Sequence, residues 1–472
     1  MTNSQEEPIM IYTQLLDRIA PDTIVRVGVI GAGQYATAVV TQSRAIRRLD
    51  VAAIADVDLA AARRAYRRAG YADEEMATCD SLRTAVHAME RGQRVVVADA
   101  MLLMEMPLDV IVEATGAPEA GARHAHEAIR HGKHVAMVSK EPDSAVGPIL
   151  KRLADQAGVV YTAVDGDQHG LLMGLVAWAR ELGLVVLAAG KARDGELIHD
   201  AAAQTAAGEG QVMALDGETA RALAPIQPEQ AARAVAERRR LFGHLAPLGG
   251  FDVTEMTIAA NATGLLPDVE ALHAPIVRIS EIPEVLCPVA EGGILGRRGA
   301  IEAITCLRHP YEAGLGGGVF VVVSCANDYS RQILTTKGLI PNRRDSAAVI
   351  YRPYHLCGVE TPLTILVAAL LRLPTGAVEY IPRVDIVARA RRELKAGEIV
   401  GDDHSPALEA LMRPAQPLRP GNAVPLHMAS GWRLLADVPA DSVIPVGAVA
   451  EPAGSALWAL RREQDRVWLR DL

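Results

Sequence analysis

Lys191 directly follows the apolar run "VVLAAG", which places it at the carboxyl end of a buried strand. A lysine there can polarise a carbonyl, or transfer a proton if burial lowers its pKa; the alternative is a solvated strand end. Lys140 and Glu141, in "AMVSKEPDSAVGP", end another apolar run and read either as a pair facing a ligand or as a surface turn. "VDGDQHG" gathers Asp165, Asp167, Gln168 and His169 in one loop. Two carboxylates two apart suit a hard divalent ion such as Mg2+ or Mn2+, but no further spacing closes a metal site, so the ligands stay unknown. Asp165 is a candidate to touch a ligand, with a hinge or helix cap as the competing role.

Three later loops offer substrate contacts. "LRHPYEAGLGGGVF" carries His309, Tyr311 and Glu312 ahead of glycines that let a backbone approach a ligand. "TTKGLIPNRRDS" supplies Lys337, Arg343 and Arg344, suited to a phosphate or carboxylate. "IYRPYHLCGVETP" places Arg352, His355 and Glu360 before a helix that starts near Thr361 and Pro362.

The elements that must position these groups begin with "TIVRVGVIG", a β-branched run followed at once by Gly31-Ala32-Gly33-Gln34-Tyr35-Ala36. A helical stretch and a second apolar run, "VAAIADVD", complete strand, turn, helix, strand and acid at dinucleotide-fold spacing. Gly31 permits the tight turn, Gly33 lets the backbone approach a pyrophosphate, and Ala36 is small enough for helix to pack on strand; the helix N-terminus adds amide donors. Asp56 suits the adenosine ribose hydroxyls and favours NAD. Arg63 and Arg64 suit a 2′-phosphate or form a solvated helix face, so NADH and NADPH both stay open. "RVVVAD", "DVIVEATG", "KHVAMVSKE" and "GVVYTAVDGD" continue the pattern, and Thr115 and Gly116 sit beyond a strand end where a nicotinamide would lie. In that frame Lys140 comes next to the nicotinamide.

These runs predict an α/β protein: a Rossmann doubly wound parallel sheet over 1–165, an α/β catalytic and oligomerisation domain over 166–378, and a small β-rich domain over 379–472. In the last of these "VARARRELKAGEIV" and "GWRLLADVPADSVIPVGAVA" read as two copies of one strand-turn-strand phrase, which resembles the SAF domain. With 472 residues, half of them hydrophobic, the chain can bury a large core. A net charge of −9 without a long basic run argues against nucleic acid as the partner. The polar "MTNSQEEPIM" lacks the basic and apolar regions of a secretory signal, and charged residues interrupt the long apolar runs, which argues against a membrane span. Five scattered cysteines without a C-x-x-C pair point to reduced thiols in the cytoplasm.

"HVAMVSKEPDSAVGP", "VVYTAVDGDQ", "GLVAWARELGLVVLAAGKA", "HPYEAGLGGGVFVVV" and "YRPYHLCGVETP", with the tail, resemble the homoserine-dehydrogenase-like family that contains the second type of 1-deoxy-D-xylulose 5-phosphate reductoisomerase; the D-apionate oxidoisomerases look like relatives. The resemblance implies an oxidoreductase that couples hydride transfer to an α-ketol rearrangement of a sugar phosphate or sugar acid. Lys191 then matches the family's strand-end lysine, and Asn261, His309, Lys337, Arg352 and His355 become substrate-pocket candidates. Lys140 stands where a lysine is often absent and His169 where proline is common, so the substrate could differ from the isoprenoid precursor. Plain dehydrogenation of a homoserine-like alcohol, and a redox-silent sensor using the same fold, are the competing readings. A homo-oligomer is expected from the architecture.

Overall fold

In the computed structural model, which describes residues 15–16, 22–227 and 229–470, the run Val25–Ile30 lies near the middle of a seven-stranded parallel sheet. The N-terminal decapeptide read above for a signal falls outside the described residues. From one edge the strands are Met76–Thr78, Arg94–Val97, Leu49–Ala55, Val25–Ile30, Val110–Glu113, His134–Met137 and Tyr161–Ala163. Val27 sits opposite both Val51 and Val110, and all three are buried. β-Branched side chains on both faces make this a sheet covered by helices on each side. Strand order reverses between Val25–Ile30 and Val110–Glu113, which opens a crevice beyond their carboxyl ends.

By packing the chain divides into two units, residues 1–139, 150–166 and 356–375 in the first, and 140–149, 167–355 and 376–472 in the second. The tail, set apart as a third domain by its composition, therefore packs in one unit with the middle of the chain. Two tethers account for that. Asn261 donates to the Val384 carbonyl (2.9 Å) and accepts from the Arg383 and Val384 amides (2.8 and 2.9 Å). At Glu270 the carbonyl accepts from the Met412 amide (2.8 Å) and the carboxylate from Arg413 Nε (3.0 Å).

The second unit is built on a ten-stranded mixed sheet. Its strand Val185–Ala192 runs parallel to Ala300–Arg308 and antiparallel to Val319–Ser324. Helices Gln168–Glu181 and Gly250–Thr263 pack on it and on each other. In the tail Val384–Ala390 pairs antiparallel with Leu408–Pro414. The two repeated phrases pair with each other through the bridges Arg389 to Val443, Leu394 to Val438 and Ile399 to Arg433. A closing helix, Ala456–Trp468, was not anticipated in a β-rich tail.

Two local expectations change. The strand before Lys140 ends at Met137, and Lys140 and Glu141 open an 18-residue helix, Lys140–Ala157, in place of a strand end or turn. The helix accommodates two prolines: Pro142 lies in the first turn, where no amide donor is needed, and Pro148 is carried inside the helix. "VDGDQHG" is also shorter as a loop than it reads, because Asp167 caps helix Gln168–Glu181 and puts His169 in its first turn. Among the described residues no helix is long and apolar enough to cross a membrane.

Candidate active site

In the first unit the glycine turn has the form a dinucleotide needs. Gly31 has φ +92°, and a Cβ there would lie 2.5 Å from the Ala114 carbonyl oxygen, so only glycine fits. Gly33 caps helix Gln34–Ser43, is exposed, and would give a Cβ nothing within 4 Å; this open backbone is where a pyrophosphate can approach the helix amides. Gln34 is the first helical residue, and Tyr35 turns its hydroxyl to Thr361 (2.8 Å), which itself donates to the Asp165 carbonyl (2.9 Å). Asp56 lies at the end of Leu49–Ala55 and accepts from the Ala32 and Asp58 amides, each at 2.7 Å. That ties the acid to the turn itself. Arg63 pairs with Asp73 and Arg64 with Asp58, both at 3.1 Å. Thr115 donates to the buried Glu113 (2.6 Å), and the Gly116 amide to Ser139 (2.8 Å). These residues fit a nicotinamide dinucleotide.

The second unit holds a buried ionic cluster. Lys191, 1% exposed at its side chain, reaches Asp252 at 2.8 Å and pairs closely with Glu255. Lys140 lies 3.1 Å from Asp167 and 3.4 Å from Glu255. The Phe251 ring faces both ammoniums, at 4.4 Å from Lys140 and 5.1 Å from Lys191. His169, itself buried, has an unpartnered Nδ1 3.9 Å from Asp167 and 4.0 Å from Glu255. Strand Val185–Ala192 delivers one lysine, the first turn of Lys140–Ala157 the other, and helix Gly250–Thr263 two of the acids.

Electrostatics fix the protonation of the cluster. Burial alone would drive Lys191 down, as the sequence suggested; Glu255 and Asp252 outweigh it, and the ammonium is held above its ordinary range. Lys140 behaves alike, through Asp167 and Glu255. Asp167 falls to about 2, because Lys140 and His169 overcome its burial. Burial also leaves Glu255 raised despite two neighbouring ammoniums, and His169 lowered to about 4. Three carboxylates against two ammoniums leave one negative charge in excess, and Glu255 is the group placed to take a proton.

Asp167, His169 and Glu255 each offer one ligand atom, all within 4.8 Å of one another. With an orphaned imidazole nitrogen among them, they fit a divalent ion provided Lys140 moves off the two carboxylates it now contacts.

The remaining expected residues lie elsewhere. Asn261 spends its amide on the tail. His309 donates Nδ1 to the His199 carbonyl (2.7 Å), and His355 donates Nδ1 to the Gly317 carbonyl (2.6 Å). Arg352 stacks over Tyr354 (4.7 Å), and Lys337 is exposed just past helix Asp328–Thr336. Arg343 and Arg344, read as phosphate ligands, are engaged by Glu284 and Glu229. Glu141 sits in the first turn of its helix, and the Asp165 amide donates to the Thr364 hydroxyl (2.9 Å). Sequence reasoning missed Phe251, Asp252 and Glu255. Their trace was present: two acids three apart share one face of a helix that carries no other charged residue, and that helix is buried over ten consecutive positions, Asp252 to Asn261.

Two family models match the chain. The one described as homoserine dehydrogenase, NAD binding domain, matches residues 27–162, and the one described as oxidoreductase DRL, catalytic domain, matches residues 166–361. No curated protein matches. Solved structures that match include 1-deoxy-D-xylulose 5-phosphate reductoisomerase from Zymomonas mobilis in complex with NADPH, 16% identical over 50% of this chain and 58% of that one, TM-score 0.31. Another is myo-inositol dehydrogenase from Lactobacillus casei in complex with NAD(H) and myo-inositol, 17% identical over 38% and 48%, TM-score 0.26. A 3-ketoreductase from Actinomadura kijaniata with NADP is 18% identical over 37% and 51%, TM-score 0.25. The match thus spans about half the length of these structures.

Proposed function

With a homoserine-dehydrogenase-type NAD-binding domain ahead of a DRL-type catalytic domain, the chain belongs to the DRL/homoserine-dehydrogenase-like NAD(P)-dependent oxidoreductases, and we propose that it couples an α-ketol rearrangement to hydride transfer on 1-deoxy-D-xylulose 5-phosphate or a similar sugar derivative. The observation that carries this reading is the pair of ammoniums, the buried Lys191 and the largely buried Lys140, converging on the buried Glu255.

An α-ketol shift moves one carbon–carbon bond between neighbouring carbons. The hydroxyl of the carbon that loses its substituent gives up a proton and becomes the new carbonyl. The old carbonyl carbon gains the substituent, and its oxygen takes a proton. Two vicinal oxygens must therefore be held and polarised together, which two fixed cations in a dry site do well. Lys191 and Lys140 hold them; Glu255, raised by burial, accepts the hydroxyl proton and returns it. A nicotinamide dinucleotide held by the Gly31–Gly33 turn and Asp56 would supply the hydride that reduces the new carbonyl. Mg2+ or Mn2+ held by Asp167, His169 and Glu255 would supply Lewis-acid polarisation of the same oxygens.

A second reading, oxidoisomerisation of a branched sugar acid such as D-apionate with NAD, is favoured by the first unit. Asp56 is fixed at the turn, and Arg63 and Arg64 are occupied by acids instead of standing open to a 2′-phosphate. A coupled assay separates the two: NADPH with 1-deoxy-D-xylulose 5-phosphate in one cuvette, NAD with D-apionate in another, both with Mg2+ or Mn2+. Absorbance change in the first supports the leading reading, change in the second supports the alternative, and silence in both overturns each.

A further inference from the structure

Two residues beyond Lys191, the Arg193 side chain is 11% exposed, and its Nε and Nη1 atoms are buried with no hydrogen-bond partner among the described residues. Its one partner is Glu209, through Nη2. A half-satisfied buried guanidinium is costly unless something else completes it. Glu209 is an odd anchor for it. It is 40% exposed at its side chain, has φ +48°, and with Gly210 (φ +72°) forms the two-residue tip between strands Thr205–Gly208 and Gln211–Ala214. That tip lies at the edge of the sheet, where the outer strand is largely exposed.

The surroundings of Arg193 are cationic. Arg239, lowered first by its own burial and then by the charge of Arg193, lines a cleft of about 670 Å3 whose wall includes Gly249 and Gly250, the start of the helix that carries Asp252 and Glu255. The strand ends at Ala192, and sheet-like backbone bonds carry on for one residue more: the Arg193 amide donates to the Ile304 carbonyl (2.9 Å) and its carbonyl accepts from the Gly317 amide (3.3 Å). Alternation then puts Lys191 and Arg193 on one face, roughly 6.5–7 Å apart. A short sugar chain spans that distance.

We propose that Arg193 receives the anionic end of the substrate, a phosphate or a carboxylate, and that Glu209 is an internal stand-in which this group displaces. The proposal rests on the reading of the second unit as the substrate domain. Once Glu209 leaves Nη2, Arg193 offers Nη2 with Nε, or Nη2 with Nη1, as a parallel pair of donors, the geometry by which arginine grips planar or tetrahedral oxyanions. The substrate's anion exchanges for the Glu209 carboxylate, so the ion pair is replaced and no cation is left buried alone.

The test is calorimetric titration of the full chain with inorganic phosphate, and separately with acetate, on wild type, Arg193→Gln and Glu209→Gln. Arg193→Gln is expected to weaken anion binding at least tenfold, whereas Glu209→Gln tightens it several-fold by removing the competitor. An ion pair that merely holds the hairpin would give equal loss in both variants, and that result overturns the proposal. So does unchanged binding in Arg193→Gln, or binding of neither anion by wild type. Tighter phosphate than acetate assigns the subsite to a sugar phosphate, and the reverse to a sugar acid. Because this readout needs no turnover, wild-type anion binding with both coupled assays silent would reject the reaction and keep the subsite.

Discussion

Glu255 accepts from Lys191, a residue 64 positions earlier in the chain, with both side chains 1% exposed. A strand end and a helix face are brought together there, and neither charge has water to fall back on. Removing one partner of such a pair strands the other, at a cost of about 3–5 kcal/mol.

Lys191→Ala is therefore expected to lose turnover by three orders of magnitude or more and to lower the unfolding midpoint measurably, while NAD(P)H binding to the first unit stays within twofold. Lys191→Arg restores the charge without the compact ammonium, so it should regain stability and little turnover. A variant with normal kcat removes Lys191 from the chemistry.

Stability should fall as pH drops from 6.5 to 4. His169 and His427 are both buried and lowered to about 4, so the native state stays unprotonated in that window while the unfolded chain takes up protons. With a lowered folded pKa, the contribution is present above the unfolded value and is lost on the way down, at most about 3 kcal/mol for each residue. Asp167 adds a further loss between about pH 4 and 2. Urea unfolding at pH 7 and pH 4.5 measures the slope; His169→Gln and His427→Gln should each flatten it, and an unaltered slope in both contradicts the assignment.

Two glycines in one turn should respond differently to alanine. Gly31→Ala places a Cβ against the Ala114 carbonyl at positive φ, so both fold and cofactor binding suffer. Gly33→Ala meets open space. It should melt like wild type, yet bind NAD(P)H at least tenfold more weakly, read by nicotinamide fluorescence, because the new methyl stands where the pyrophosphate approaches.

Asn261→Ala should act on stability, since its amide bridges helix Gly250–Thr263 to residues 383–384. Loss of these buried bonds costs about 2–3 kcal/mol. A raised KM at unchanged stability would instead return Asn261 to the substrate pocket.

The first unit was legible from the chain because its determinants are local. The β-branched run at 25–30, the Gly31 and Gly33 spacing and the acid at Asp56 all act within one strand-turn-helix-strand segment, and the structure places them together as that spacing requires. Among its strands only the short edge strand Met76–Thr78 went unread, three residues being too few to display a period, and residues 356–375, read as part of the middle domain, pack in this unit instead. Lys191 and Lys140 were also found, since a charge ending an apolar run is visible in one dimension. Their pairing with Asp167, which the sequence singled out, and with Asp252 and Glu255, which it did not, was hidden. Asp167, Asp252 and Glu255 lie up to 115 residues from the lysines they hold, as Lys140 to Glu255 shows. No local pattern records that those carboxylates keep both lysines charged where burial alone would discharge them. The sequence by itself determined the cofactor turn and the strand that ends in a lysine; the tertiary structure alone decided that this lysine is an ammonium, because protonation in a dry interior depends on which opposite charges the fold brings within a few ångströms.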